Sequence, residues 1–490
     1  MLGRLRGASP VLYLEKIHLA GARSYSTKYQ QEHDYSIKPT TYAYTADENR
    51  ELFDRFPLVT AKAQARRQSR PQKSRMLARE FIEDSMYNPN YGYFSKQAEI
   101  FTLPRKIDAR KIGDLDSYLD QWAVEYRNQL SSPTETSVPT GAKVPESEKK
   151  NLRPTKVSKQ LWHTPSELFS PHYGETLARY FIEALNGEKK LIIYETGAGN
   201  GTMMTDMLDF IKREHPDIYA NTEYHVIEIS AQLALKQRAH GHGHGDKVHV
   251  HNTSIFDWTH KEERPCFFVA LEVWDNLAHD VIRYNNITNE PWQGYVVVDH
   301  NNEFTEVYSS KLDKLAAEYL EVRNSVGFKP QSRLGWHPQS QPSFVRTLIN
   351  NIVPFQGDFS APEYIPTRQY QFMKLLAQYF PQHHFLTSDF THFTERIRGY
   401  NSPVVQTFME DTPVTVSTFM VLQGHFDIMF PTDFELARKM YEHVTGKRAA
   451  VATNHDFLSR WMKNAEETAT KTGENPMLSL YSNADFLYTL

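Results

Sequence analysis

The spacing of apolar residues changes period several times along the chain. From residue 161 onward, short apolar runs alternate with stretches whose apolar positions recur at i, i+3 and i+4. "GETLARYFIEAL" (174–185) has helical spacing. "LIIYETGAGNGTMMTDMLDFIK" (191–212) begins with an apolar run that closes on Glu195, has glycines at 197, 199 and 201, and continues as an amphipathic segment. It predicts a strand, a tight turn and a helix. "EYHVIEIS" (223–230) and "KVHVHNTS" (247–254) predict a second and a third strand, and "CFFVALEVWDNL" (266–277) a fourth that ends in carboxylates. Strands alternating with helices predict an α/β fold built on a doubly wound parallel sheet.

The rhythm breaks after residue 280. "GYVVVDHNNEFTEVYS" (294–309) predicts a hairpin turning at Asn301 and Asn302, and "KLDKLAAEYLEV" a helix. Residues 324–362 are rich in Pro, Gln and Ser. Alternation resumes with a helix, "RQYQFMKLLAQYF", and a strand, "HHFLTSDF" (383–390). The tail adds two strand candidates, "SPVVQTFME" and "TVSTFMVL", and a helix, "TDFELARKMYEHV". Upstream, "LAREFIEDSMYNP" has helical spacing that Pro89 ends. Residues 131–160 hold almost no large apolar side chains, as in a flexible segment. The expected division is a leader (1–25), an N-terminal extension (26–104), a flexible insertion or linker (105–160), a core half carrying the glycine turn (161–280), an inserted α+β region (281–362), and a second core half with the tail (363–490).

Composition narrows the class. With 490 residues the chain needs more than one compact unit. No apolar run is long enough for a membrane-spanning helix. The net charge of −4 gives no general attraction for nucleic acid. Cys266 is the single cysteine, so no intramolecular disulfide or cysteine-based metal cluster is expected. The first 25 residues hold Arg4, Arg6, Lys16 and Arg23 against one acid, Glu15, the composition of a mitochondrial import signal, with "RSYS" as a processing site between Tyr25 and Ser26. The basic run at 61–80 is expected to be a solvated helix face or linker rather than a nucleic-acid contact. "HGHGHG" (240–245) is expected to be an exposed loop, and no metal site is expected.

The glycine turn selects among ligands. A triphosphate-binding loop needs Lys-Ser/Thr after its last glycine, but Thr202 and Met203 follow Gly201. A dinucleotide fingerprint has the spacing G-x-G-x-x-G, whereas Gly197, Gly199 and Gly201 give G-x-G-x-G. Glu195 would also repel a pyrophosphate. A carboxylate there suits S-adenosylmethionine, which carries a sulfonium and an ammonium and no phosphate. Glu228, ending the second strand, can accept from both ribose hydroxyls, and Asp257, after the third, can meet the adenine amine. Cofactor binding is therefore expected from Glu195, Gly197, Gly199, Gly201, Thr202, Glu228 and Asp257.

The sequence resembles the MidA-type mitochondrial methyltransferases. "FIEDSMYNPNYGYFS" (81–95), "HTPSELFSPHYGETLARYF" (163–181), "ETGAGNGTMMTDML", "LEVWDNLAH" (271–279), "SDFTH" (388–392) and "GHFDIMFPTDF" (424–434) match that family's motifs in order. Departures occur at Leu271, where the family has Asn, at Ala278, where it has Pro, and at 389–391, where its Asp-Tyr-Gly becomes Asp-Phe-Thr. The resemblance implies a class I methyltransferase fold and methylation of a protein arginine in the mitochondrial matrix, in support of respiratory complex I assembly. The implied partner is a protein substrate, a complex I subunit, rather than nucleic acid, and a homodimer is compatible with the resemblance.

An arginine acceptor stays protonated, so its guanidinium needs carboxylates that fix its plane and relieve its charge as nitrogen attacks. Glu272 is expected to position the acceptor, with Asp275 second and Asp389 at the cleft wall. A helix-capping role is the alternative for the pair. The alternative function is a weakly active or inactive scaffold in the assembly of complex I or the mitochondrial ribosome. Leu271, Ala278 and the basic 61–80 run motivate it.

Overall fold

The computed structural model describes residues 44–489 except 49, 97, 104–105, 132–159, 329–341, 343, 346–358, 394–400 and 410–411. The expected leader at 1–25 and most of the expected linker lie outside the described residues.

Seven strands form the main sheet: β1 (Leu191–Thr196), β2 (Thr222–Glu228), β3 (Val248–Asn252), β4 (Cys266–Leu271), β5 (His383–Phe390), β6 (Ala449–Thr453) and β7 (Ala484–Thr489). Their order is 3-2-1-4-5-7-6. Neighbours from β3 to β5 pair parallel, and β7 runs antiparallel to both β5 and β6. This is the class I methyltransferase sheet. All six residues of β1 are buried, which is why it reads as an unbroken apolar run rather than an alternation. Chain order reverses between β1 and β4, so a crevice opens at the carboxyl ends of these strands.

Helices cover both faces. The helices α1 (His172–Ala184), α2 (Thr202–Glu214) and α3 (Ala231–Gly241) precede β4, and α4 (Thr367–Tyr379), α5 (Phe434–Thr445) and α6 (Asn454–Trp461) follow it. One core joins Leu177, Phe181, Met204 and Leu208 to Ile193 and Val269. The other joins Phe372, Met440 and Tyr441 to Ile192 and Phe268. Alternate residues of β1 and β4 thus serve opposite cores.

Some elements differ from the sequence reading. The last two strands of the sheet come from "AAVAT" and "ADFLYT", short segments with no strong strand signal of their own. The strands expected in "SPVVQTFME" and "TVSTFMVL" become Val404–Met409 and Thr412–Val416, which form a separate small sheet with Asp427–Met429. Within the expected 105–160 linker, Leu115–Ser131 is a helix, and its Tyr118, Leu119, Trp122 and Tyr126 join the core of α1 and α2.

Between β4 and β5 the chain builds a second sheet from Asp280–Tyr284, Pro291–Val298, Phe304–Ser309 and Glu363–Ile365. The expected hairpin is there, with Asn302 in the left-handed region. The N-terminal segment also enters this sheet: Ser74–Leu77 pairs with Pro291–Val298, and Tyr44–Thr45 with Phe304–Ser309. The helix Ala78–Tyr87 then packs Phe81, Ile82 and Met86 against Val281, Val296 and Ile428. Part of the 61–80 run is internal rather than solvated. Arg79 is buried, 2.5 Å from both Asp280 and Asp313.

Candidate functional site

The crevice between β1 and β4 is built on three left-handed glycines. Gly197, Gly199 and Gly201 have φ of 74°, 55° and 86°, values that side chains with a Cβ adopt at a cost. A Cβ on Gly197 would lie 2.6 Å from Val273, in the turn after β4. A Cβ on Gly199 would lie 2.7 Å from Ile100, in the short strand Ala98–Ile100 that pairs with Gln160–Trp162. The glycine turn is therefore pressed between the β4 turn and an N-terminal strand. Gly201 precedes α2, whose first backbone N–H groups face the turn. Glu167 joins the turn by accepting from Thr202 Oγ1 (2.7 Å) and Asn200 Nδ2 (3.0 Å).

Glu195 and Glu228 are both buried at the ends of their strands. Glu195 accepts from the Tyr224 hydroxyl at 2.7 Å, and burial lifts its carboxyl to about 7. Glu228 accepts from Ser230 N–H and from Gln237 Nε2, each at 2.8 Å, and burial also raises it. Gln237 Nε2 donates to Gly199 O as well, which ties Glu228 to the glycine turn. Asp257 stands apart: it is exposed, and its Oδ1 lies 2.6 Å from Lys62 Nζ. The left-handed glycines, the two buried carboxyls and the absence of a lysine in the turn suit a phosphate-free ligand carrying positive charge and a ribose.

The second half of the site is the turn that leaves β4. The sequence reading carries that strand to residue 277, but it ends at Leu271. Glu272 has φ of 52°, which stops the pleat; a side chain other than glycine in this region costs on the order of 1–3 kcal/mol. Asp389, at the end of β5, holds the turn by accepting from Trp274 N–H (2.7 Å) and Asp275 N–H (3.1 Å). Trp274 is wholly buried among Phe372, Phe385 and Phe434. No helix follows Asp275; the next element is the strand Asp280–Tyr284, so neither Glu272 nor Asp275 caps a helix.

Four carboxyl groups gather here: Glu272, Asp275, Asp389 and Asp427. Burial and then the Asp389 charge raise Glu272 well above the ordinary range. Burial, followed by Asp389, Asp427 and Glu272, does the same to Asp275. Asp389, stabilised by turn amides, is raised only to about 6. Asp427 is completely buried, accepts from Asn276 Nδ2 at 3.1 Å, and is also raised well above its usual range by burial. Tyr87 donates to Asn276 O at 3.1 Å from the N-terminal helix. Burial that raises carboxyl pKa is a mark of functional clefts.

The sequence pattern places Glu195, Glu228 and the glycines on one sheet edge, with Glu272 and Asp275 on the adjoining turn, and the structure brings these residues to neighbouring strand ends. Asp427, Tyr87, Asn276 and Glu167 have no local signal that sets them at this edge. Asp427 lies 151 positions from its partner Asn276. "FDIMF" does place an acid inside an apolar run, which is a sign of a buried carboxyl. "HGHGHG" forms a 3₁₀ turn in which His244 is buried beside Tyr219, at 2.9 Å, rather than an open loop.

The strand order and the glycine turn define a class I methyltransferase. Residues 176–453 match the profile of a family of S-adenosyl-L-methionine-dependent methyltransferases. The chain belongs to this family, and S-adenosylmethionine is its cofactor. A relative from Schizosaccharomyces pombe, the mitochondrial protein arginine methyltransferase NDUFAF7 homolog, is 24% identical over 291 residues, which span 55% of this chain and 59% of that protein. The chain thus matches less than two thirds of that relative's length. Among solved structures, a COG1565 superfamily member from Burkholderia thailandensis with S-adenosyl-homocysteine bound aligns over 85% of this chain and 87% of its own, at 14% identity and a TM-score of 0.48. A second structure of that superfamily from the same organism aligns over 66% and 80%, at 13% identity and a TM-score of 0.42. Among the described residues no helix is long and apolar enough to cross a membrane.

Proposed function

We propose that the chain methylates a protein arginine in the mitochondrial matrix and so supports assembly of respiratory complex I. The observation that carries this reading is the group of buried carboxyls beside the glycine turn. Val273, which crowds Gly197, lies between Glu272 and Trp274, so the acidic turn and the cofactor turn are in contact. The likeness to the fission yeast mitochondrial protein arginine methyltransferase supports an arginine acceptor and a mitochondrial location. The matrix and complex I rest on the family resemblance and on the basic, acid-poor first 25 residues.

Bound S-adenosylmethionine supplies a methyl group on a sulfonium. In this reading Glu195, Glu228, Thr202 and the glycines would hold it, and Asp257, which pairs with Lys62 here, would take the adenine amine. Glu272, aimed by its left-handed backbone, accepts guanidinium N–H groups and fixes the attacking nitrogen. A guanidinium bound here would draw Glu272 and Asp275 into their ionised forms, and their raised proton affinity would then suit either to take the proton that the methylated nitrogen must lose. Asp389 positions both through the turn amides.

The test is Glu272→Gln. This change keeps the shape and removes the group that can ionise and take a proton. Affinity for S-adenosylhomocysteine should hold, and labelled-methyl transfer to mitochondrial protein should fall about 10²-fold or more. Unchanged transfer would remove Glu272 from the chemistry. Cofactor binding without transfer by the unmodified chain would point to an assembly scaffold instead.

A further inference from the structure

Two oxygens in the carboxyl group remain without a hydrogen-bond partner, Asp275 Oδ1 and Asp427 Oδ2, although both side chains are buried. Buried polar atoms are almost always paired, and an orphaned pair in one cluster calls for a ligand. The two residues reach the site from different parts of the fold. Asp275 sits on the turn after β4, and Asp427 begins the short strand Asp427–Met429 of the small sheet. They are joined at one place: Phe430 N–H donates to Asp275 O at 2.7 Å, and Asn276 donates to Asp427 Oδ1 at 3.1 Å.

Asp427 already spends one oxygen on Asn276 and keeps the other free. The bond from Asn276 occupies Oδ1 and leaves Oδ2 as the free acceptor. The charges of Asp389, Asp427 and Glu272 all act on Asp275, so the four carboxyls belong to one electrostatic group. Among the described residues, no lysine or arginine is paired with Asp275, Asp427 or Asp389. The buried Arg79 and Arg323, and the half-buried Arg368, are engaged by other carboxylates. Among the described residues no basic side chain balances these carboxyls, which leaves the two free oxygens open to a cation carried by a ligand. A flat cation with several N–H donors satisfies two separate acceptors at once, whereas an ammonium offers a single point of charge.

We infer that Asp427, together with Asp275, forms the binding edge for the guanidinium of the acceptor, and that Asp427 is a specificity-determining residue. This rests on the arginine reading above. It adds a second carboxylate, carried by the C-terminal sheet, to the turn that holds Glu272. The small sheet then has a function of its own: it delivers Asp427 to the crevice.

The experiment uses the full chain loaded with S-adenosylhomocysteine and two probes, N-acetyl-Gly-Arg-Gly amide and the same peptide with citrulline, which keeps the shape without the charge. Calorimetry should show binding of the arginine peptide and at least tenfold weaker binding of the citrulline peptide. Asp427→Asn should weaken the arginine peptide about tenfold or more, leave S-adenosylhomocysteine affinity unchanged, and keep or raise the melting temperature. A residue with a purely structural role would lower the melting temperature and spare the discrimination. Asp275→Asn is the second variant, should Asp427→Asn not fold, and is expected to lose the same discrimination. Equal binding of the two peptides by the unmodified chain, or an arginine affinity untouched in a folded variant, overturns the assignment. Labelled-methyl transfer separates the two levels. Label on a residue other than arginine defeats the proposed function and this edge with it. Label on arginine, with KM unmoved by Asp427→Asn, defeats only the role of Asp427.

Discussion

Glycine at 199 has two duties, a left-handed backbone and room for Ile100, and both forbid a side chain. Gly199→Arg should abolish binding of S-adenosylmethionine, measured by calorimetry, while cofactor binding by that variant would show that the turn faces something else. Glu228 is a milder case. It is fixed by Ser230 and Gln237, so Glu228→Ala removes an acceptor and leaves Gln237 to find another partner. The cofactor should bind about 1–3 kcal/mol more weakly, the usual cost of losing a hydrogen bond to a charged group. An unchanged affinity would limit Glu228 to holding its own helix. At this scale the sequence is informative wherever the signal is local. Three alternate glycines after an apolar run and an acid at a strand end mark Glu195, Gly197, Gly199, Gly201 and Glu228. Asp257 has the expected place after β3, yet its observed contact is Lys62, from a segment nearly two hundred positions away.

Elements follow the same division. β1, β2, β4 and β5 are read directly because buried parallel strands are continuous in their apolar residues. β4 is read too long, because Val273 and Trp274 continue the apolar run while the amides of the turn are captured by Asp389 from another strand. β6 and β7 are short and are made strands by pairing with each other and with β5, which no local pattern reports. The N-terminal helix is recognised by period, but its attachment to the second sheet depends on Arg79. That guanidinium is buried between Asp280 and Asp313, and Gln293 donates to both of those carboxylates. Arg79→Ala leaves buried carboxylates without their cation, so it should destabilise the chain by about 3–5 kcal/mol in denaturant unfolding. A loss under 1 kcal/mol would mean that the second sheet stands without this tie.

The whole molecule carries an unusual load of buried acid. Burial raises Glu195 to about 7, and Asp84, Asp206 and Asp389 to about 6. Each keeps its proton in the folded chain at pH values where the unfolded chain has lost it. Their contribution is fully present below about pH 4 and is lost as pH rises through 6 to 7. Buried histidines act in the other direction. His225, His383 and His425 are lowered to about 4, so their contribution is lost as pH falls from about 6.5 toward 4. The melting temperature should therefore rise as pH is lowered from about 8 to about 6.5 and flatten below that. A melting temperature that falls over the first interval would contradict the burial of these acids. The central claim is that one crevice holds S-adenosylmethionine on the glycine turn and a protein arginine on the carboxyls. Its most direct measurement is transfer of a labelled methyl group by the purified chain to proteins of a mitochondrial extract, with Gly199→Arg as control and the labelled residue identified after digestion. The predicted result is label on arginine with the unmodified chain and none with the variant. No label from a chain that binds the cofactor, or label on another residue, would contradict it.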